Sequence, residues 1–176
     1  MSNTQEFVVV NVIGGIAVLC SYVLGLLLYP GVRESLWGGV TGDWRPIFTI
    51  SMLFSAIGYL AFCYFVGFKS NGESSPLVEN SALSILCALF LIASTVWMPS
   101  TIAYINTNQV LWWNLVVGSL WVTALSLVGL VFLVIGAKVE APTLHKYLTI
   151  AGVTYIAFHC LILDAVIWAV KFPRLH

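Results

Sequence analysis

The apolar residues of this chain come in five long blocks separated by short polar stretches. Each block is long enough to cross a hydrocarbon core about 30 Å thick at about 1.5 Å of rise per helical residue. The expected spans are Phe7 to Tyr29, Pro46 to Phe68, Ala82 to Ile105, Val110 to Ala137 and Tyr147 to Val170. The predicted fold class is an all-α integral membrane protein, a five-transmembrane-helix bundle forming one domain over residues 1–176. Composition agrees: 60% of the residues are hydrophobic and 8% charged, where a soluble globule carries roughly 25% charged.

Charged residues fall outside these spans or at their last turn, with one exception, Asp164. Burying charge in lipid is costly, so that exception is a candidate for function. The first block follows MSNTQE, with no basic n-region and no cleavage site, and is expected to be a permanent helix. Basic residues are nearly balanced between the two sides: Arg33, Arg45, Lys171 and Arg174 against Lys69, Lys138 and Lys146. This split barely favours the former side as cytoplasmic.

The segment Pro30 to Arg45, PGVRESLWGGVTGDWR, holds two tryptophans and four glycines and is expected to be an ordered lid or interfacial loop. Residues Lys69 to Ser81 are Ser/Asn/Gly/Glu-rich and read as a solvated linker. Only Asn106 to Gln109 join the third and fourth spans, which must be antiparallel neighbours. Cys20, Cys63, Cys87 and Cys160 all lie in spans without CxxC spacing, so they are expected to be buried free thiols, not a disulfide framework or a metal site. Nucleotide-loop, zinc-protease and hydrolase-elbow signatures are absent.

Two spans carry polar groups of interest. In the third, Ser94-Thr95-Val96-Trp97-Met98-Pro99 places a proline inside the helix. Pro99 should kink it, with the hydroxyls of Ser94 and Thr95 bonding the freed carbonyls. Trp97 then either packs against the kink or walls a pocket. In the fifth, Ile156, Cys160, Asp164 and Trp168 share one face at four-residue spacing, and Tyr155 and His159 form a second stripe about 100° round. Asp164 lies about 9 Å from the helix end. It must be protonated, hydrogen-bonded inside the bundle, or facing a watered cavity. His159 is open to three roles: an interhelical hydrogen bond, contact with a ligand or haem iron, or a proton relay. An α-helix sets His159 and Asp164 about 140° apart, a poor arrangement for an acid–base pair.

Several of these pieces, in order, resemble the translocator protein family, also called tryptophan-rich sensory protein or peripheral benzodiazepine receptor. They are Tyr29 to Trp37 followed by Trp44, Leu53-Phe54-Ser55-Ala56-Ile57-Gly58-Tyr59, Trp97-Met98-Pro99, Trp113-Asn114-Leu115-Val116 and Leu163-Asp164-Ala165-Val166-Ile167-Trp168. The chain departs from that pattern at Gly38-Gly39, where the family has paired prolines, and at Ile156, where it has tryptophan. Ser94 and Asp164 each stand where it has asparagine. The resemblance implies a five-helix bundle, often dimeric, in a mitochondrial outer or bacterial membrane, with a pocket beneath the first loop for porphyrins, sterols or synthetic aromatic compounds. It also implies porphyrin breakdown as an associated activity.

The residues alone describe compatible chemistry, with flat indoles for stacking, few polar anchors and a glycine-rich lid. The leading expectation is therefore a membrane receptor or carrier for a tetrapyrrole or sterol. Trp37 and Trp44 close the pocket, Tyr59, Ser94, Trp97, Trp113 and Cys160 line it, and His159 or Asp164 bonds the ligand's polar edge. No cofactor is required, and haem or protoporphyrin enters as ligand. The expected partners are the lipid bilayer, the small apolar ligand and a second copy in a homodimer, with no nucleic acid. The alternatives are a membrane enzyme, by porphyrin photodegradation or isomerase-like proton transfer through His159 and Asp164, and a structural subunit of a larger complex.

Overall fold

The computed structural model describes residues 2–69, 77, 81–137 and 143–173. Among these there is no strand, and five helices are long and apolar enough to cross a membrane. They are α1 (Asn3–Leu28), α2 (Trp44–Tyr64), α3 (Ser81–Thr107), α4 (Val110–Gly136) and α5 (Thr143–Phe158). Helix α2 ends in a π-helical turn, Phe65–Lys69. Helix α5 continues into a π-helical stretch, His159–Trp168, and a last α turn, Ala169–Lys171. The protein is thus an all-α, multi-pass membrane bundle, and its apolar outer faces (Ile13, Ile16 and Leu19 on α1, Phe132 on α4) meet lipid.

Local chemistry sets the helix ends. The first helix begins four residues before the expected Phe7 because Ser2 and Gln5 form a capping box. The Gln5 N–H donates to Ser2 Oγ at 3.3 Å and the Ser2 N–H to Gln5 Oε1 at 3.0 Å. Between α3 and α4 the connection shrinks to Asn108 and Gln109. Asn108 takes a left-handed conformation (φ 55°) and donates its N–H to the Tyr104 carbonyl at 2.8 Å, closing the helix end without glycine. Pro99 sits inside a helix that continues on both sides. The Ser94 and Thr95 hydroxyls bond the carbonyls of Phe90 and Leu91 (both 2.8 Å), not the Thr95 carbonyl that the proline frees.

Within a bilayer, apolar contact alone does not drive helices together, so close packing at small residues does. Helix α3 packs on α4 and on α1, and α5 packs on α2 and on α4. The α2–α5 contact is backbone to backbone: a Cβ at Gly58 would lie 2.8 Å from the Gly152 Cα. Gly14 and Gly25 of α1 receive Leu91 and Met98 of α3 in the same way. Gly15 and Gly118 have no neighbour at that distance. Gly118, with Leu89, Ile92, Val96, Leu115 and Val122, lines a groove of about 280 Å³ on the outer face between α3 and α4.

Helix α1 joins the α2 side of the bundle at one end. There Phe7 meets Phe62 edge-on at 5.8 Å, and Asn11 Oδ1 accepts from Tyr59 Oη at 2.6 Å and Cys63 Sγ at 3.5 Å. The linker expected over 69–81 lies largely outside the described residues, but Leu77 is fully buried. The thiols are free, and Cys20, expected to be buried, is exposed on α1.

Bulk at the α2–α5 crossing must push the helices apart. Gly152→Leu is expected to destabilise the protein by about 1–3 kcal/mol, whereas Gly118→Leu on the open groove should stay within about 0.5 kcal/mol of the parent. Reversible unfolding in detergent checks both.

Candidate functional site

The π-helical stretch changes the geometry of helix five where its polar residues lie. Its backbone hydrogen bonds reach five residues back, as in Ala169 N–H to the Asp164 carbonyl. Residues five apart therefore come onto one face. His159 and Asp164, about 140° apart on an ideal α-helix, meet here with Nε2 to Oδ2 at 3.4 Å. The expected separation of the two is overturned, and the cause is this change of helical period.

From His159 a chain of hydrogen bonds runs to α2. Its Nδ1 lies 2.8 Å from Ser51 Oγ, and Tyr155 Oη donates to the same oxygen at 3.1 Å. With Tyr155 occupying a Ser51 lone pair, the serine proton is free to point at Nδ1. With Ser51 as donor the neutral imidazole carries its proton on Nε2, facing Asp164; with Nδ1 donating to Ser51 the proton is on Nδ1. His159 and Ser51 are buried, and the Phe48 ring meets the imidazole edge-on at 6.4 Å.

Asp164 itself is not sealed. Ile156, Cys160 and Trp168 on its face are buried, as are its neighbours Leu163 and Ala165, so this side of the helix points into the bundle. Its side chain nevertheless keeps 29% of its surface accessible. The carboxyl group lies near the Cys160 thiol and the Tyr22 phenol of α1.

A run of aromatic rings starts from Tyr22. Tyr22 stacks on Trp97 at 5.7 Å and 26°, and Trp97 meets Trp168 edge-on at 5.4 Å. Trp168 stacks with Trp113 at 6.3 Å and packs on Phe172 at 4.7 Å. Trp168 Nε1 donates to the Leu36 carbonyl at 2.9 Å, fastening the first loop to helix five. Trp97 Nε1, by contrast, is buried with no protein acceptor, an arrangement that costs about 1–3 kcal/mol unless something else accepts its proton.

The structure thus gathers Trp97, Trp113, His159, Cys160 and Asp164. Tyr59 belongs to the Asn11 cluster at the far end of α2, packed on Phe62 and Phe90. Ser94 faces Thr123 of α4 at 3.4 Å. Trp37 is half-buried in the first loop under the Arg45 guanidinium (5.3 Å), and Trp44 is exposed at the start of α2 beneath Lys171 (5.5 Å). The loop is ordered by Arg33, which donates to the Leu26 carbonyl at 3.1 and 2.9 Å, and by the Arg45–Glu34 pair at 2.8 Å. Tyr22 and Ser51 are the residues that sequence reasoning missed as site members. Tyr22 carries a polar aromatic signal within its apolar run, but its partner lies on α3.

Ser51, His159 and Asp164 are the residue types of a hydrolase triad, but the geometry does not serve acyl transfer. Ser51 lies inside α2, buried, where neighbouring backbone N–H groups are spent on the helix ladder, so they cannot hold an oxyanion. The Nδ1 of His159 is bonded to Ser51, and its Nε2 faces Asp164 at 3.4 Å. Fold and site together define a helical membrane bundle with an aromatic-walled interior acid. Comparisons with protein-family models, curated proteins and solved structures returned no match.

Trp168→Phe keeps the ring packing and removes the bond to Leu36. Amide exchange across residues 30–45 should rise by the equivalent of about 0.5–1.5 kcal/mol, while protection in α3 and α4 stays unchanged.

Proposed function

We propose that the protein is a membrane receptor or carrier for a flat, largely apolar ligand held among Tyr22, Trp97, Trp168 and Cys160. The observation that carries this reading is the accessible Asp164 carboxyl group on an otherwise buried face of helix five, together with the Trp97 indole N–H, which is buried without an acceptor. A site with aromatic walls and few directional polar groups suits a planar polycycle. The translocator resemblance points to the same ligand class, a tetrapyrrole or a sterol, and to a homodimer. With Nδ1 of His159 on Ser51 and Nε2 facing Asp164, a porphyrin here is held by its rings and edge groups. The first loop, tied down by Trp168, covers the site.

Titration with protoporphyrin should quench tryptophan fluorescence saturably. Trp97→Ala is expected to weaken binding at least about tenfold, which is about 1.4 kcal/mol, and Tyr59→Phe to leave it unchanged. Absence of saturation, or equal affinity in Trp97→Ala, rejects the reading.

The 3.4 Å approach of His159 to Asp164 favours a second reading, proton transfer on a bound ligand, over what the sequence alone allowed. Product analysis after incubation separates the two, because a binding protein returns its ligand unaltered.

A further inference from the structure

We infer that the seam between α1 and the α2–α5 pair is a lateral opening to the bilayer, through which the Asp164 carboxyl group is reached from the lipid and not from the membrane surface. Such an opening serves the proposed binding site but does not depend on what occupies it.

Helix α1 is tied to the bundle unevenly. It packs along α3, where Gly14 and Gly25 admit Leu91 and Met98. It meets α2 at the end away from the first loop, through Phe7 on Phe62 and Asn11 under Tyr59 and Cys63. Loop-side of Asn11, no hydrogen bond or ring pair joins α1 to α2 or α5 among the described residues. Gly15 lies one helical turn from Asn11 on the same face, and a Cβ there would meet nothing within 4 Å. Close packing accounts for Gly14 and Gly25; at Gly15 the missing side chain keeps the seam unfilled. Further along this face Val18 and Tyr22 are half-buried, and Tyr22 lies near Cys160 and Asp164 of helix five. The helices thus part just loop-side of Asn11, and the parting leads to the acid.

Other approaches to Asp164 are closed by contact among the described residues. Toward the surface, Trp168 Nε1 holds the Leu36 carbonyl. The loop backbone also lies on the end of helix five so closely that a Cβ on Gly39 would overlap the Lys171 carbonyl, and one on Gly38 the Phe172 ring. On the flanks, α5 packs on α2 and α4, and α4 on α3. Asp164 nevertheless keeps 29% of its side-chain surface accessible. With those sides shut, access runs along α1. A route that opens between membrane-spanning helices admits molecules dissolved in the hydrocarbon and turns away hydrated ones.

Two carbodiimides test this on the full chain in phosphatidylcholine vesicles, with the modified carboxyl groups located by peptide mass. Dicyclohexylcarbodiimide dissolves in the bilayer, and its dimethylaminopropyl analogue is cationic and stays in water. The lipid-soluble reagent is expected to modify Asp164. The water-borne one should modify Glu34 and Asp43 of the loop and leave Asp164 untouched. G15F, which fills the seam, should slow modification of Asp164 at least about tenfold, and G15A should slow it less. G118F, on the outer α3–α4 groove, should leave the rate unchanged. No modification by the lipid-soluble reagent, equal modification by both, or an unchanged rate in G15F overturns the opening. The wild-type comparison needs no variant, and G15A keeps the seam testable where the larger ring prevents folding. Saturable, Trp97-dependent porphyrin binding alongside any of those failures leaves the binding site standing with a different entrance. The expected labelling without porphyrin binding upholds the opening and rejects that ligand.

Discussion

A carboxylate held inside a bilayer must find hydrogen-bonding partners on protein, because lipid supplies none. Much of the loop-side half of this molecule is arranged around that requirement at Asp164. The α-helical period would have set His159 and Asp164 about 140° apart. By relaxing into π-helical hydrogen bonding, the chain turns the imidazole toward the acid while its other nitrogen reaches Ser51 on α2. That reach is possible because Gly58 and Gly152 let α2 and α5 touch through their backbones. A small-residue contact at one level of the crossing and a polar pair nearer the loop are therefore parts of one arrangement.

The two ends of the bundle hold different kinds of polar chemistry. Near residues 7–11 and 59–67, Asn11 gathers Tyr59 and Cys63 into a network of neutral groups that satisfy one another, which is structural bonding between helices. Toward the first loop, an acid keeps accessible surface and an indole N–H lacks an acceptor. Unpartnered buried atoms occur at both ends, Thr4 Oγ1 and His145 Nδ1 at the first and Trp97 Nε1 toward the loop, but only the loop end adds an accessible acid inside a span.

Hydrophobic block length made the five helices and the α3–α4 pairing legible in the sequence, because spanning a membrane leaves few alternatives. The interior orientation of Ile156, Cys160, Asp164 and Trp168 was also legible, since four-residue spacing survives a modest change of helical period. The His159–Asp164 contact was not: no residue in FHCLILDAVIW announces π-helical bonding, and a fixed 100° step separates the pair. Tyr59 was misplaced into the site's company for another reason. A helix two motif fixes a residue's face but not its depth relative to residues on other helices, and depth puts Tyr59 with Asn11.

The indole of Trp168 has two attachments of different character. One edge lies against Trp97 and Trp113 in the wall, and its nitrogen holds the Leu36 carbonyl of the loop. A rigid bicyclic ring cannot move at one edge and stay still at the other. Any shift of the ring cluster is thereby transmitted to the first loop by a single side chain.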